Sequence, residues 1–298
     1  MNLRTLRYFV TLAREQHFAR AADLCGITQP TLSSAIAALE EELGKRLIER
    51  DRRFVGLTAE GRAMLPWAQR LLDTQEAMIH SVEAVGGPLR GEFRLGAIPA
   101  AMPAIGLISR ALLATHEGLS IAIRSMTSRE IVRSLNAYEL DAGLTYLDHE
   151  PPAGMLEVPL YSEHYMLVSH AEADDDDGPL DWATAARLPL CLLHPGMQNR
   201  RILDAILARQ GIEVTPRATA DSYVALLALV RSGQFATIMP DSYVAMLEGL
   251  SWANVRPLGQ PVAASRIGLI VADRTPLNPV ASAAMAAARA VAIDRAPV

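Results

Sequence analysis

Small, uncharged side chains cluster at the start of one predicted helix: Gln29, Pro30, Thr31, Ser33 and Ser34, with Thr28 just ahead of them. On a helix entering the DNA major groove by its N-terminal end, these residue types suit base edges. A glutamine amide can pair bidentately with adenine, a serine hydroxyl serves several bases, and small side chains permit close approach. Phosphates are also favoured at a helix N-terminus. Farther on, Arg50, Arg52 and Arg53 surround Asp51 and lead into Phe54-Val55, which reads as a short basic hairpin able to lie beside a phosphate backbone. Contacts of that kind add affinity without sequence information.

The elements that must hold these residues are legible from spacing. Phe18, Ala21, Ala22 and Cys25 recur at the interval of a buried helix face, and Gly26 ends that helix. Thr28 is a good N-cap and Pro30 falls in the first turn, where its missing N–H costs little. Leu32, Ala35, Ile36, Leu39 and Leu43 form the apolar stripe of the second helix, which Gly44 stops, leaving the polar residues on the other side. An ordinary helical hairpin with a solvated face shares this pattern; the basic hairpin favours DNA. Net charge does not decide the matter. Residues 1–60 hold nine Lys plus Arg against eight Asp plus Glu, and the chain carries a net charge of -5. Placement is more telling, because Arg20, Arg50, Arg52 and Arg53 fall at the motif helix and hairpin, and an acidic remainder suppresses nonspecific binding.

From a cap at Thr58, the apolar residues Met64, Trp67, Ala68, Leu71, Met78, Val82 and Val85 follow a repeat close to 3.5 residues, interrupted at Thr74 and Gln75. Such a seam predicts a partner helix; a single amphipathic helix packed on its own domain is the alternative. Pro66 marks a kink or the true start of the straight part. Gly86-Gly87-Pro88 ends the helix and predicts a hinge. Beyond it strands alternate with helices: strand 93–98, helix 104–114, strand 120–124, helix 128–136 and strand 142–146, with a later strand at 190–193, another at 267–271 and a closing helix at 280–293. The alternation predicts parallel sheets with helices on both faces.

Phe9-Val10, Phe18-Ala19-Arg20-Ala21-Ala22, Leu24, Thr28 to Ser33, Ile36, Leu39-Glu40, Leu43-Gly44, Leu47, Arg50 and Leu57-Thr58-Ala59-Glu60-Gly61 together resemble the LysR-type transcriptional regulators. The resemblance continues in Leu140 to Leu144, Leu160 to Val168 and Leu229 to Pro240. It implies an α/β architecture: a winged helix-turn-helix over residues 1–58, a dimerising linker helix and hinge over 59–88, and a two-lobed effector domain of the periplasmic-binding-protein kind over 89–298. Lobe I would take about 89–163 and 266–298, and lobe II about 164–265. Departures from the family pattern stand at His17, which replaces the usual capping serine, at Ser34 in place of a frequent arginine, at Ile48 in place of phenylalanine, and at Phe235 in place of a glycine. Candidate DNA contacts are Arg20, Thr28, Gln29, Pro30, Thr31, Ser33, Ser34, Arg52 and Arg53; candidate dimerisation residues are Met64, Trp67, Leu71, Met78 and Val82.

Ligands of open α/β sheets lie beyond the carboxyl ends of the strands. Together with the resemblance, this points to Pro99, Ala100, Ala101 and Met102 after the first strand, Thr127 and Ser128 after the second, and Tyr146 after the third. From the other lobe it adds His194, Met197, Gln198, Asn199 and Arg200. Helix N-termini, the Thr127 and Ser128 hydroxyls and Arg200 suit a small anion; Arg200 and Arg201 read equally well as solvated charges in a first helical turn.

Other classes are disfavoured. His164, His170 and His194 lack a nucleophile motif, and there is no phosphate-cradling glycine loop and no His-Glu-x-x-His, so an enzyme is not expected. Asp174 to Asp177 reads as a solvated loop rather than a metal site, and no cofactor is implied. Cys25 and Cys191 are far apart without metal-ligand spacing and read as structural thiols. No apolar run is long enough to span a bilayer and no signal segment is recognisable, which predicts a cytoplasmic protein without membrane contact. The leading reading is a ligand-responsive regulator with double-stranded DNA and a small-molecule effector as partners. Homodimers, tetramers by resemblance, and RNA polymerase complete the partners. A redox-responsive regulator of the same architecture is the alternative, though only Cys191 lies in the effector region; a solute-binding protein or enzyme of the sheet fold is a third.

Overall fold

The computed structural model describes the chain apart from residues 52, 149, 151–152, 172–177, 260–263 and 295–298, and gives backbone only at 50, 51, 53, 84, 86 and 292–294. Arg52 and the acidic run 174–177 therefore lie outside the described residues, and the side chain of Arg53 does too. The chain divides into two units, Met1–Gly87 and Pro88–Val298.

In the first unit, α1 (Leu3–Glu15), α2 (Phe18–Leu24) and α3 (Gln29–Leu43) pack around Leu6, Phe9, Leu12, Ala21, Ala22, Leu32, Ile36 and Leu39. The departure at His17 turns out to leave the helix capped: its Nδ1 accepts from the Arg20 amide at 3.3 Å, doing the work of the absent serine. At α3, the Thr28 hydroxyl accepts from Thr31 N at 3.4 Å, and Gly44 ends the helix at φ 63, the left-handed conformation that glycine adopts freely. Strands β1 (Ile48–Asp51) and β2 (Arg53–Leu57) form the antiparallel hairpin. It is tied back to α3 by Glu40, whose Oε1 accepts from Leu47 N at 2.9 Å and Ile48 N at 3.1 Å.

Helix α4 (Ala59–Gly86) starts where the hairpin ends, with Thr58 capping Gly61 N at 3.0 Å. Only glycine fits at Gly61, since a Cβ there would stand 2.1 Å from the Leu47 carbonyl oxygen. The helix starts ahead of Pro66 and continues through it; one missing backbone bond is tolerated where tertiary packing holds the rest. That packing comes from Ala68, which is buried, and from Met64, Leu65 and Leu72, which lie against the head core.

The second unit opens with β3 (Arg90–Ala97), a 3-10 turn at Pro99–Ala104 and α5 (Ile105–Thr115). Then come β4 (Gly118–Ser125), α6 (Ser128–Asn136), β5 (Ala142–Tyr146) and β6 (Met155–Glu163). The chain crosses to the other sheet through β7 (Tyr165–His170), followed by α7 (Trp182–Arg187), β8 (Cys191–Leu193) and α8 (Gln198–Arg209). Next are β9 (Ala218–Ala220), α9 (Tyr223–Arg231), β10 (Thr237–Pro240), a 3-10 turn at Asp241–Tyr243, α10 (Val244–Leu247) and β11 (Ala253–Pro257). β12 (Ser265–Ala272) returns to the first sheet and α11 (Pro279–Asp294) closes the unit.

The first sheet has the order β4-β3-β5-β12-β6, and the second lobe contains β10-β7-β11 and the pair β8-β9. The expectation of parallel sheets holds only in part. β3 is parallel to β4 and β5, and β8 to β9, whereas β12 is antiparallel to both β5 and β6, and β7 to β10 and β11. The reason is the crossover. A strand that re-enters a sheet from the other lobe runs against those that left it, and local alternation does not reveal such returns.

Candidate functional sites

At the α3 tip, Thr28, Gln29, Pro30, Thr31 and Ser34 are exposed and Ser33 is half-buried, while Leu32 and Ile36 anchor the opposite face in the core. The Thr28 and Thr31 hydroxyls bond each other at 2.8 Å, which occupies part of their capacity and leaves the Gln29 amide as the longest polar side chain on the tip. Arg20 is exposed as well, with its guanidinium 3.2 Å from the half-buried Glu15 carboxylate.

On α4 the predicted seam divides. Met64 turns to its own head core, whereas Trp67 (65% exposed), Leu71, Met78, Val82 (72%) and Val85 remain open to solvent, an apolar ridge at near-heptad spacing.

In the second unit, the predicted effector residues fall into three kinds. Pro99, Ala100 and Ala101 are buried in the 3-10 turn and Met102 is half-buried, so they form wall rather than polar contact. Thr127 is committed to its own helix. Its amide (2.9 Å) and hydroxyl (2.8 Å) both donate to Glu130 Oε2, and the hydroxyl accepts from Glu130 N at 3.3 Å. The Thr127 amide bond, then its hydroxyl, hold the Glu130 carboxyl below its usual range. The α6 N-terminus already holds an anion of its own, which argues against Thr127 as an effector contact. Arg200 is likewise spoken for: it is buried, with Nε 2.7 Å from Asp204 Oδ1 and Nη1 donating to the Leu193 carbonyl at 3.0 Å. It is therefore neither the free cation nor the solvated charge that its position suggested. Arg201 is paired bidentately with Glu150 at 2.9 and 3.0 Å. His194 is exposed, and its Nδ1 accepts from Gly196 N at 3.1 Å.

The first turn of α8 differs from that of α6. Met197 stands at its N-cap without a side-chain bond to the helix amides. Gln198, 3% exposed, has neither amide atom partnered among the described residues, and the buried Ser128 hydroxyl is in the same state. Buried polar groups are rarely left so, because desolvation without a partner costs about 1–3 kcal/mol.

Tyr146 and Asn199 meet in a buried network that draws in residues sequence reasoning did not single out: Glu163, Tyr165, Tyr223 and Tyr243. The Tyr146 hydroxyl donates to Glu163 Oε1. Asn199 Nδ2 donates to the Tyr146 oxygen at 2.6 Å and to the Tyr165 oxygen at 3.1 Å, and its Oδ1 accepts from Tyr223 at 2.8 Å. The Tyr243 ring lies 4.8 Å from that of Tyr223, and its hydroxyl donates to the Pro99 carbonyl at 2.6 Å. Burial raises the Glu163 carboxyl to about 8, with Asp241 adding to the rise and the Tyr146 bond opposing it. Burial also pushes Tyr146, Tyr165 and Tyr223 well above the usual phenol range, so they stay protonated. A glutamate flanked by Tyr161 and Tyr165 was the available signal; its partner Tyr146, on another strand, and the network's Asn199 and Tyr223 were not visible from it.

A winged helix-turn-helix head, a long helix with an apolar ridge and a two-lobed α/β unit define a DNA-binding transcriptional regulator. Residues 3–62 match the family described as bacterial regulatory helix-turn-helix protein, lysR family, and residues 86–292 match the LysR substrate binding domain. The chain belongs to the LysR family of transcriptional regulators; it is not an enzyme. A probable hydrogen peroxide-inducible genes activator of Mycobacterium leprae (strain TN) is 32% identical over 270 residues, covering 89% of this chain and 86% of the relative. The DNA-binding transcriptional dual regulator OxyR of Escherichia coli (strain K12) is 29% identical over 282 residues, covering 93% and 92%. Among solved structures, a full-length OxyR variant from Pseudomonas aeruginosa is similar over 98% of this chain and 97% of that one, with a TM-score of 0.77 and 26% identity. No helix among the described residues is long and apolar enough to cross a membrane.

Proposed function

We propose that this regulator responds to a small anionic metabolite held between the lobes of its 89–298 region, at the first turn of α8. The observation that carries the reading is the uncapped α8 N-terminus beside a buried Gln198 whose amide has no partner among the described residues. Free first-turn amides favour an anion and an unpartnered amide offers both donor and acceptor, so a carboxylate satisfies them together. Since Arg200 is neutralised by Asp204, hydrogen bonds rather than a guanidinium would provide the recognition. Effector binding would then alter the lobe arrangement and, through α4, the spacing of paired DNA heads. Those heads would read bases with Gln29, Pro30, Thr31 and Ser33. The Trp67, Leu71, Met78 and Val82 ridge would hold a homodimer, with a tetramer and contact to RNA polymerase following the family pattern, and the site of action would be the cytoplasm.

The relatives named for peroxide induction raise the redox alternative. Two features of this chain weigh against a thiol pair: Cys191 is fully buried in β8 with its thiol pushed up to about 11 by burial, and the only other cysteine, Cys25, belongs to the other unit. The test is a thermal-shift screen of the full chain against small carboxylates and matched neutral amides, followed by titration of any hit. A carboxylate should stabilise the protein, by about 2.7 kcal/mol at a hundredfold excess over Kd, and Gln198→Leu should abolish the effect. A hit that binds Gln198→Leu equally well, or stabilisation by peroxide alone, would overturn the reading.

A further inference from the structure

Glu163 occupies the last position of β6, immediately before the chain crosses to the second lobe, with its backbone paired opposite Ser265 on the returning strand. Its side chain is 1% exposed. One oxygen receives the Tyr146 hydroxyl, and the other, Oε2, has no partner among the described residues. Tyr146 comes from β5 in the first lobe and Asn199 from α8 in the second, and the 2.6 Å bond between them spans the lobes. Every proton in this network is directed: Asn199 donates to two phenol oxygens, Tyr223 donates to Asn199, Tyr165 donates to the Asn199 carbonyl at 3.4 Å, and Tyr146 donates to Glu163. No cation enters it among the described residues. The groups facing Glu163 are Tyr146 from β5, Tyr165 from β7, Tyr223 from α9, and Tyr243 and Asp241 from the 3-10 turn; Asp241 is itself paired with His164 at 3.2 Å.

We propose that Glu163 is a buried proton-binding site that latches the two lobes through Tyr146 and Asn199, so that loss of its proton loosens the joint and frees the first turn of α8. In the protonated state Glu163 is neutral and the network is closed. When the Oε2 proton leaves to solvent, a full charge remains among phenols and near one like charge, and burying an unpaired carboxylate is costly. The phenols cannot yield protons to relieve it, because all are held above their ordinary range. Relief requires water at Glu163, and water reaches it by separating Tyr146 from Asn199. Proton binding and lobe closure are therefore linked, and each favours the other. With the carboxyl titrating at about 8 in the closed state and near its ordinary 4.5 once water reaches it, the closed-to-open ratio falls by up to about tenfold per pH unit between those values and is flat above 8.

The test needs no effector, so its failure is separable from failure of the ligand proposal. In the full chain labelled with carboxyl-13C glutamate, one side chain should titrate near pH 8, and its signal should vanish in Glu163→Gln. The exchange rate at residues 198–201 in wild type, divided by that in Glu163→Gln at the same pH, should rise by up to about tenfold per unit between pH 6 and 8 and level off above it. Comparison at a single pH cancels the intrinsic exchange rate. Tyr146→Phe, which keeps the acid and cuts the bond to Asn199, should speed exchange at 198–201 already at pH 6. The proposal fails if every glutamate titrates below pH 6, if the ratio of the two exchange rates is the same at pH 6 and pH 9, or if Tyr146→Phe leaves exchange unchanged.

Discussion

Replacing Glu163 by Gln should make the second unit more stable at neutral and alkaline pH. Glutamine keeps the shape and the acceptor for Tyr146 and never ionises. The carboxyl rises from 4.5 to about 8 on folding, because burial disfavours its charge. Between those values the folded protein holds a proton that the unfolded chain has released. The wild type therefore has its full stability below pH 4.5, loses it as pH climbs towards 8, and is flat above, where both states are ionised. At 1.36 kcal/mol per pKa unit the loss amounts to about 5 kcal/mol, an upper figure because water entering the network would reduce it. The measurement is urea unfolding of wild type and Glu163→Gln at pH 4, 6, 7 and 9, followed by Trp182 fluorescence, whose ring lies edge-on to Tyr165 at 6.1 Å. Titrations elsewhere cancel in the difference between the two proteins. The difference should widen in favour of Gln by roughly 1.4 kcal/mol per unit at mid-range and level off beyond pH 8. A gap that stays constant from pH 4 to 9 would refute the reasoning.

Gln29→Ala should cost about 1–3 kcal/mol on the cognate operator and leave affinity for random DNA nearly unchanged, as binding titrations would show; equal losses on both would remove Gln29 from base reading. Leu71→Asp places a charge on the exposed ridge of α4 and should shift sedimentation from dimer to monomer at micromolar concentration. A variant still dimeric when dilute would place the interface elsewhere. Gly61→Ala should lower the stability of the head by about 1–3 kcal/mol, because its methyl would meet the Leu47 carbonyl at 2.1 Å and the hairpin must move. Unchanged thermal unfolding would contradict that geometry.

The head was legible almost residue by residue, because its signals are local: Thr28 caps the helix that Gly44 ends, and Leu32, Ile36 and Leu39 repeat at helical spacing. The rank of an α/β unit could likewise be read from alternation, and α6 at Ser128–Asn136 and β5 at Ala142–Tyr146 lie where the pattern put them. Strand direction could not, since a returning strand such as β12 has the same residue pattern whichever way it enters a sheet. Polar partners could not be read from the sequence for the same reason. Thr127 and Arg200 look like ligand groups when their neighbours are unknown, and Glu130 and Asp204, three and four residues along the same helices, satisfy them first.

What the chain determines by itself is therefore everything governed by neighbours within a few residues: helix limits, caps, the polar tip of α3 and the ridge of α4. The tertiary structure alone decided which polar groups remain unsatisfied and which acid is cut off from water. Gln198 and Glu163 owe their state to residues from distant parts of the chain closing over them. Burial and long-range pairing are properties of the packed fold, and no spacing rule in the sequence encodes them.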